Sequence, residues 1–295
     1  MIKNDRGRKR NGLETAMTRR TFLPWLSLPG WGGLPVSGLT AATLNAGETD
    51  EPAGRGTMSN ETNKRKAGLF VVRNYLLKNG SQPARLHKFM QNGVVPELQG
   101  VTNIPPIFLD ALVAPHMPQV MTIFGFESME QWQTFEAKAA ASSLYQTSLS
   151  ESERGDEAPF EEYSEKLLAP TAFCPLLEAS GAQPTRTFEF RIYHSPTRRQ
   201  LAALNDRFAG PEIQIFHRCG IFPILYTNGL SGESLPNLTY LTPFENLAAR
   251  EKAWAAFGAD PEWVKVRAES IEKNGQISAV MHISLWKATA YSPVR

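Results

Sequence analysis

The sequence predicts an α+β chain made of two copies of one βαββαβ unit, whose sheets face each other as an intramolecular two-sheet barrel. Three observations carry this. The chain matches itself without a gap when shifted by 118 residues: Phe70, Arg73 and Tyr75 fall on Phe188, Arg191 and Tyr193, Ala84 and Leu86 on Ala202 and Leu204, Leu112 on Leu230, Pro118 on Pro236, and Phe126-Glu127 on Phe244-Glu245. Strand-like runs show period-two alternation, with Phe188, Phe190 and Ile192 interleaved with Glu189, Arg191 and Tyr193. Each half also repeats the same order of strands and helices, about residues 67–180 and 184–291.

In the first half a strand over Leu69–Leu77 precedes a helix from Ser81 that carries Leu86, Phe89, Met90 and Val94 on one side. Two strands follow, Ile104–Val113 and Gln119–Phe126. Ser128 with Gln131 forms a capping box for a helix with Met129, Trp132 and Phe135 on its apolar side. The last strand is expected near Leu168–Leu177.

In the second half the strand Thr185–His194 leads into Ser195-Pro196, read as N-cap and first helical residue ahead of a Leu201, Leu204 and Phe208 stripe. Strands Gly220–Thr227 and Asn237–Thr242 flank turn chemistry at Asn228-Gly229 and Gly232. A helix with Leu247, Trp254 and Phe257 stops at Gly258, and Asp260-Pro261-Glu262 starts another containing Trp263 and Val266. The strand Ile277–Trp286 closes the unit.

The order βαββαβ is the ferredoxin-like unit, whose helices cover one sheet face and leave the other bare. A bare apolar face needs a cover. Two units in one chain can cover each other, which is the origin of the two-sheet prediction.

Composition agrees with a folded chain. Of 295 residues, 42% are hydrophobic and 20% charged, which excludes collagen, coiled coil and whole-chain disorder. Positive charge concentrates in residues 1–66, with 11 Lys and Arg against 6 Asp and Glu, while the remainder holds 20 against 23. A nucleic-acid partner would place basic charge on the folded body, so none is expected. Arg19-Arg20-Thr21-Phe22-Leu23, the weakly apolar stretch Phe22–Leu39 and the small residues Thr40-Ala41-Ala42 resemble a twin-arginine export signal over residues 1–42. Residues 43–66 then read as a linker. The expected location is periplasmic, with a cytoplasmic protein bearing a basic tail as the alternative. No integral membrane segment is expected in the mature chain.

The second half carries a specific string: Pro236-Asn237-Leu238-Thr239-Tyr240-Leu241, Phe244-Glu245-Asn246-Leu247-Ala248-Ala249-Arg250-Glu251-Lys252-Ala253-Trp254, and Phe257-Gly258-Ala259-Asp260-Pro261-Glu262-Trp263. With Phe190-Arg191-Ile192-Tyr193 and His217-Arg218-Cys219-Gly220-Ile221, it resembles the NIPSNAP family. The first half resembles that family only through Val72-Arg73-Asn74-Tyr75 and Phe126-Glu127, and its acidic segment Glu151 to Glu165 reads as an insertion. The resemblance implies the dimeric α+β-barrel superfamily. Relatives there include small oxygenases, isomerases and haem proteins that use the space between the sheets, whereas the NIPSNAP proteins have no settled catalytic activity.

Strand alternation nominates candidate site residues. If the apolar set of the first strand of each half faces the helices, then Arg73, Tyr75, Arg191 and Tyr193 face between the sheets. On the last strand His282 and Trp286 join them. Such a lumen would suit a small anionic or aromatic molecule. The alternative is a filled barrel in which Arg191 pairs with Glu189 or other protein groups. His282 is the candidate general base, with Arg191 and Tyr193 beside it, for a cofactor-independent oxygenase or isomerase. An interaction module with a solid barrel is the third reading. The five histidines show no metal-ligand spacing, no glycine-rich phosphate loop follows a strand, and nothing calls for a cofactor. His217 and Cys219 are a conceivable nucleophilic pair only if the fold brings them together. Pairing of Cys174 with Cys219 stays open, as does the oligomeric state.

Overall fold

The computed structural model describes residues 66–153, 157–181 and 183–295, within a compact unit of residues 59–295. The expected export segment and nearly all of the linker lie outside the described residues.

The elements in chain order are β1 (Leu69–Leu76), α1 (Gln82–Phe89), a π-helical turn (Met90–Val94), α2 (Val95–Gln99), β2 (Ile107–Val113), β3 (Gln119–Phe126), α3 (Met129–Ala141), α4 (Ser143–Ser152) and β4 (Glu162–Pro170). The second repeat has β5 (Thr187–His194), α5 (Arg198–Arg207), a π-helical turn (Phe208–Glu212), α6 (Ile213–Arg218), β6 (Leu225–Ser231), β7 (Asn237–Phe244), α7 (Leu247–Ala259), α8 (Pro261–Asn274) and β8 (Val280–Ala288). Every strand of the first repeat, both ends included, maps onto its partner by a shift of 118, as do α3 and the π-helical turn. Met117-Pro118 and Leu235-Pro236, likewise 118 apart, are both cis.

The eight strands close into one antiparallel barrel in the order β1-β3-β2-β8-β5-β7-β6-β4. Each repeat contributes a ferredoxin-like sheet, β4-β1-β3-β2 and β8-β5-β7-β6. The repeats join edge to edge, β2 to β8 through Asp110↔Lys287 and β4 to β6 through Ala169↔Asn228. Closure leaves no free sheet edge. Because neighbours are antiparallel all round, the C-terminal ends of β1, β2, β5 and β6 share one rim with the N-terminal ends of β3, β4, β7 and β8.

Helices pack on the outside of each sheet. In the first repeat Leu86, Phe89 and Phe135 meet Leu69, Val71, Tyr75 and Phe124 of the sheet. In the second, Phe208 of the π-helical turn is fully buried and packs edge-on against Tyr193, Tyr226 and Phe216. Burying one such ring stabilises the fold by about 1.5–3 kcal/mol relative to leaving it in water.

The Phe257–Trp263 string is a helix stop and restart. Asp260 caps α8 by accepting from the Trp263 amide at 2.9 Å, and Arg218 donates to both its oxygens, at 2.7 and 2.9 Å. Phe257 packs between Phe216 and Trp263, with centroids at 4.8 and 4.3 Å. The first repeat has a counterpart: Ser142 caps α4 by accepting from the Tyr145 amide.

Four expectations are corrected. The acidic segment is not an insertion, because β4 follows at the ungapped shift from β8. The last strand of the first repeat is Glu162–Pro170, not Leu168–Leu177. Its first half is polar and therefore lacks an apolar signal, while Pro170 and Pro175 bar the more apolar stretch from continuing a ladder. The strand placed at Gly220–Thr227 runs instead over Leu225–Ser231, since Asn228 and Gly229 pair with β4 rather than turning. Thr197, not Ser195, caps α5, and the Ser195 hydroxyl donates to the Ile277 carbonyl at 2.6 Å.

Candidate functional site

The space between the sheets is closed at one end and open at the other. Towards the closed end the inward side chains are Phe70, Ile107, Ile123, Leu168 and Phe188, all buried in one apolar cluster. There Gly125 faces Ile104 so closely that an added Cβ would lie 2.4 Å from its Cγ2. At the rim that gathers the C-terminal ends of β1 and β5, a cavity of about 670 Å³ remains.

Alternation explains what lines it. β1 contributes Asn74 and Leu76, β3 Gln119 and Met121, β4 Ser164 and Lys166, β5 Phe190 and Ile192, and β8 His282, Ser284 and Trp286. The ladders place these residues side by side, as Asn74↔Met121, Asn74↔Ser164, Ile192↔His282 and Phe190↔Ser284. Met121, Phe190, Ile192 and Trp286 are buried and make an apolar floor. The Trp286 indole donates to Ser284 Oγ at 2.7 Å.

Polar groups stand beside those apolar side chains, Asn74 level with Met121 and His282 level with Ile192. Asn74 is buried and its Oδ1 has no hydrogen-bond partner. Leaving a buried amide oxygen unpaired costs about 1–3 kcal/mol, so its retention needs a reason. Lys166 Nζ reaches across to Glu233 of the β6–β7 turn, 2.8 Å away. That hydrogen bond from Lys166 holds the Glu233 carboxyl below its usual range, with help from the neighbouring His282 and against partial burial. His282 lies at the exposed rim, with Nε2 3.2 Å from Ser234 Oγ. Ser234 adopts a left-handed φ of 59°, and its carbonyl accepts from Asn237 Nδ2 at 3.1 Å. The His194 Nδ1 lies 3.1 Å from the same carbonyl. These contacts compensate the backbone strain and fix the turn that carries Glu233.

Of the sequence-nominated residues, the structure brings His282 and Trp286 to the cavity. It places Arg73, Tyr75, Arg191 and Tyr193 on the opposite face, beneath the helices, which corrects the expected orientation of β1 and β5. Arg191 donates to Glu189 at 2.6 Å and to the Tyr193 hydroxyl at 2.9 Å, and its guanidinium lies 3.7 Å from the centre of the Trp254 ring. Glu189 is fully buried and also accepts from Arg250 and from the Trp254 indole on α7. Tyr193 further accepts from the Tyr240 hydroxyl at 2.7 Å, and burial pushes its own hydroxyl pKa up. In the first repeat Arg73 pairs with Glu165 at 2.6 Å and with Glu136 on α3, while Tyr75 stacks on Tyr163.

The physical reason is that alternation separates two faces without saying which faces inward. The apolar set packs sheet to sheet, and the polar set is neutralised by α3 and α7. Arg250 with Trp254, and Trp132 with Glu136, each four apart on a helix, carry the signal that could have shown this. Sequence reasoning missed Asn74, Lys166, Gln119 and Glu233.

Both cysteines are free, with Cys174 buried and Cys219 half-buried. The Cys174 sulfur accepts from the Tyr226 amide, and His217 stacks on Phe222. Among the described residues no group of three or more His, Cys, Asp or Glu is placed to hold a metal ion, and no helix is long and apolar enough to cross a membrane.

The NIPSNAP family model matches residues 188–293. No curated protein matches the chain. Among solved structures, a candidate monooxygenase from Fusobacterium nucleatum is 7% identical, with TM-score 0.50, over 75% of this chain and 92% of its own. Another from Lactobacillus acidophilus is 9% identical, with TM-score 0.49, over 78% and 98%. A NIPSNAP-like domain protein from Burkholderia xenovorans is 24% identical, with TM-score 0.32, over 37% and 89%. At such identities a structural likeness speaks for the fold alone.

Proposed function

The second half of this chain is a NIPSNAP-family domain within a tandem dimeric α+β barrel, and from that premise we propose that the protein binds a small molecule in the open end of its own lumen. One observation carries the reading: a cavity of about 670 Å³ between the sheets, with a buried, unpartnered Asn74 oxygen beside apolar side chains. That volume and lining suit a compact organic ligand. Water alone would fill the space but would not account for a floor of Met121, Phe190, Ile192 and Trp286.

Binding is favoured over catalysis. His282 stands at the rim beside a serine, and among the described residues no carboxylate hydrogen-bonds its ring to orient it as a base. The Arg19-Arg20 segment supports export, which sequencing of the mature N-terminus tests.

Native mass spectrometry of the purified protein tests the binding reading. The expected result is a noncovalent adduct of a few hundred daltons that disappears in Ser164→Phe, which fills the cavity from β4. An unliganded mass, together with no thermal shift across a small-molecule panel, would overturn it.

A further inference from the structure

We propose that the molecule bound in the lumen is an organic acid with an apolar body, and that its carboxylate takes Lys166 from Glu233. This rests on the small-molecule reading above.

The argument begins with depth. Lys166 points inward from β4, its side chain 9% exposed, whereas its partner Glu233 is 70% exposed at the tip of the β6–β7 turn. A buried ammonium requires a counter-charge. Glu233 supplies one from the solvent side, on a long side chain that is ordered to do so. An acid entering the cavity offers the same group to Lys166, and its body displaces water from the apolar floor.

The surroundings agree. The Lys166 stem lies against Gly232, where an added Cβ would come within 2.8 Å of Lys166 Cγ, so the ammonium is held at one height in the lumen. Phe190, Ile192 and Trp286 line the same cavity. Asn74 offers its unpartnered amide oxygen to a hydroxyl or N–H on the ligand. Departure of Glu233 bares the Lys166 ammonium, 2.8 Å from that carboxylate, to an incoming anion. Of the other carboxylates near the mouth, Glu165 is held by Arg73 and Glu162 sits at the exposed end of β4. A cationic ligand would have to approach the buried ammonium directly.

Calorimetric titration with benzoate, naphthalene-2-carboxylate and decanoate, each against its primary amide, tests this on the full chain. At least one acid should bind about tenfold or more tightly than its amide, the scale of a hydrogen bond to a charged group. Lys166→Met should erase that preference and Lys166→Arg retain it. Glu233→Gln, at an exposed position that does not threaten folding, should tighten the acid several-fold and by more than it tightens the amide. Equal binding of acid and amide, a preference that survives Lys166→Met, or an acid weakened by Glu233→Gln overturns the inference and leaves cavity binding standing. No binding by any acid also overturns it; cavity binding falls as well if the native mass spectrum shows no adduct.

Discussion

Arg73 and Arg191 occupy the same position in the two repeats, and both point away from the space between the sheets. Their settings are mirror images in charge. Arg73 lies between two carboxylates, Glu136 and Glu165. In the second repeat the central charge is the buried Glu189, held between Arg191 and Arg250. A duplicated arginine has thus been kept while its partners moved to different elements. In both repeats the charge is settled under the helices, so the lumen is free to be apolar at one end and selectively polar at the other.

Arg191→Met leaves Glu189 with fewer donors in a buried site. Breaking such a pair costs about 3 kcal/mol, which urea denaturation would register. Ligand retention should be unchanged wherever the variant is folded. An effect on binding without one on stability would contradict the placement of Arg191 beneath the helices.

Asn74→Leu should act in the opposite sense on stability. It removes a buried amide oxygen that has no partner, so the fold should gain about 1 kcal/mol. The same change should abolish the native adduct. Loss of stability would mean that Asn74 serves the fold rather than a ligand.

Glu212 predicts a pH dependence. It is buried in the π-helical turn with Arg207 at 2.7 Å, and burial pushes its carboxyl up to about 7 against the pull of Arg207. A raised folded-state value favours the protonated form. The contribution to stability is full below about 4.5, the ordinary value, and is lost as pH rises through about 7. Between pH 5 and 8 the wild type should lose of order 2 kcal/mol relative to Glu212→Gln. Parallel stability curves for the two proteins would refute this.

Gly125→Ala tests the closed end. The new Cβ would meet Ile104 Cγ2 at 2.4 Å and Phe70 Cε1 at 3.1 Å, and overpacking there should cost about 1–3 kcal/mol. Ligand affinity should stay as it was, because the cavity lies at the other rim.

The architecture was legible because repetition and alternation are geometric. A gap-free shift that aligns Phe70, Arg73 and Tyr75 with Phe188, Arg191 and Tyr193 constrains every element between them. Polarity was the weaker guide. Glu189, Arg191 and Tyr193 look like a lumen stripe until α7 is seen to carry Arg250 and Trp254 against them. Lys166 was hidden for a related reason: β4 opens with Glu162, Tyr163, Ser164 and Glu165, which read as a solvated segment. Only closure of the barrel turns Ser164 and Lys166 inward, and that closure depends on pairing β4 with β6 of the other repeat. On β8 the alternation points His282 and Trp286 inward, and both line the cavity.

A crystal structure of the protein purified without added ligand tests the central claim most directly. Ordered density for an organic molecule bounded by Asn74, Lys166, Phe190 and Trp286, with Glu233 turned away from Lys166, is the predicted result. A lumen whose open end has collapsed, or holds only water with Lys166 still bound to Glu233, would contradict it.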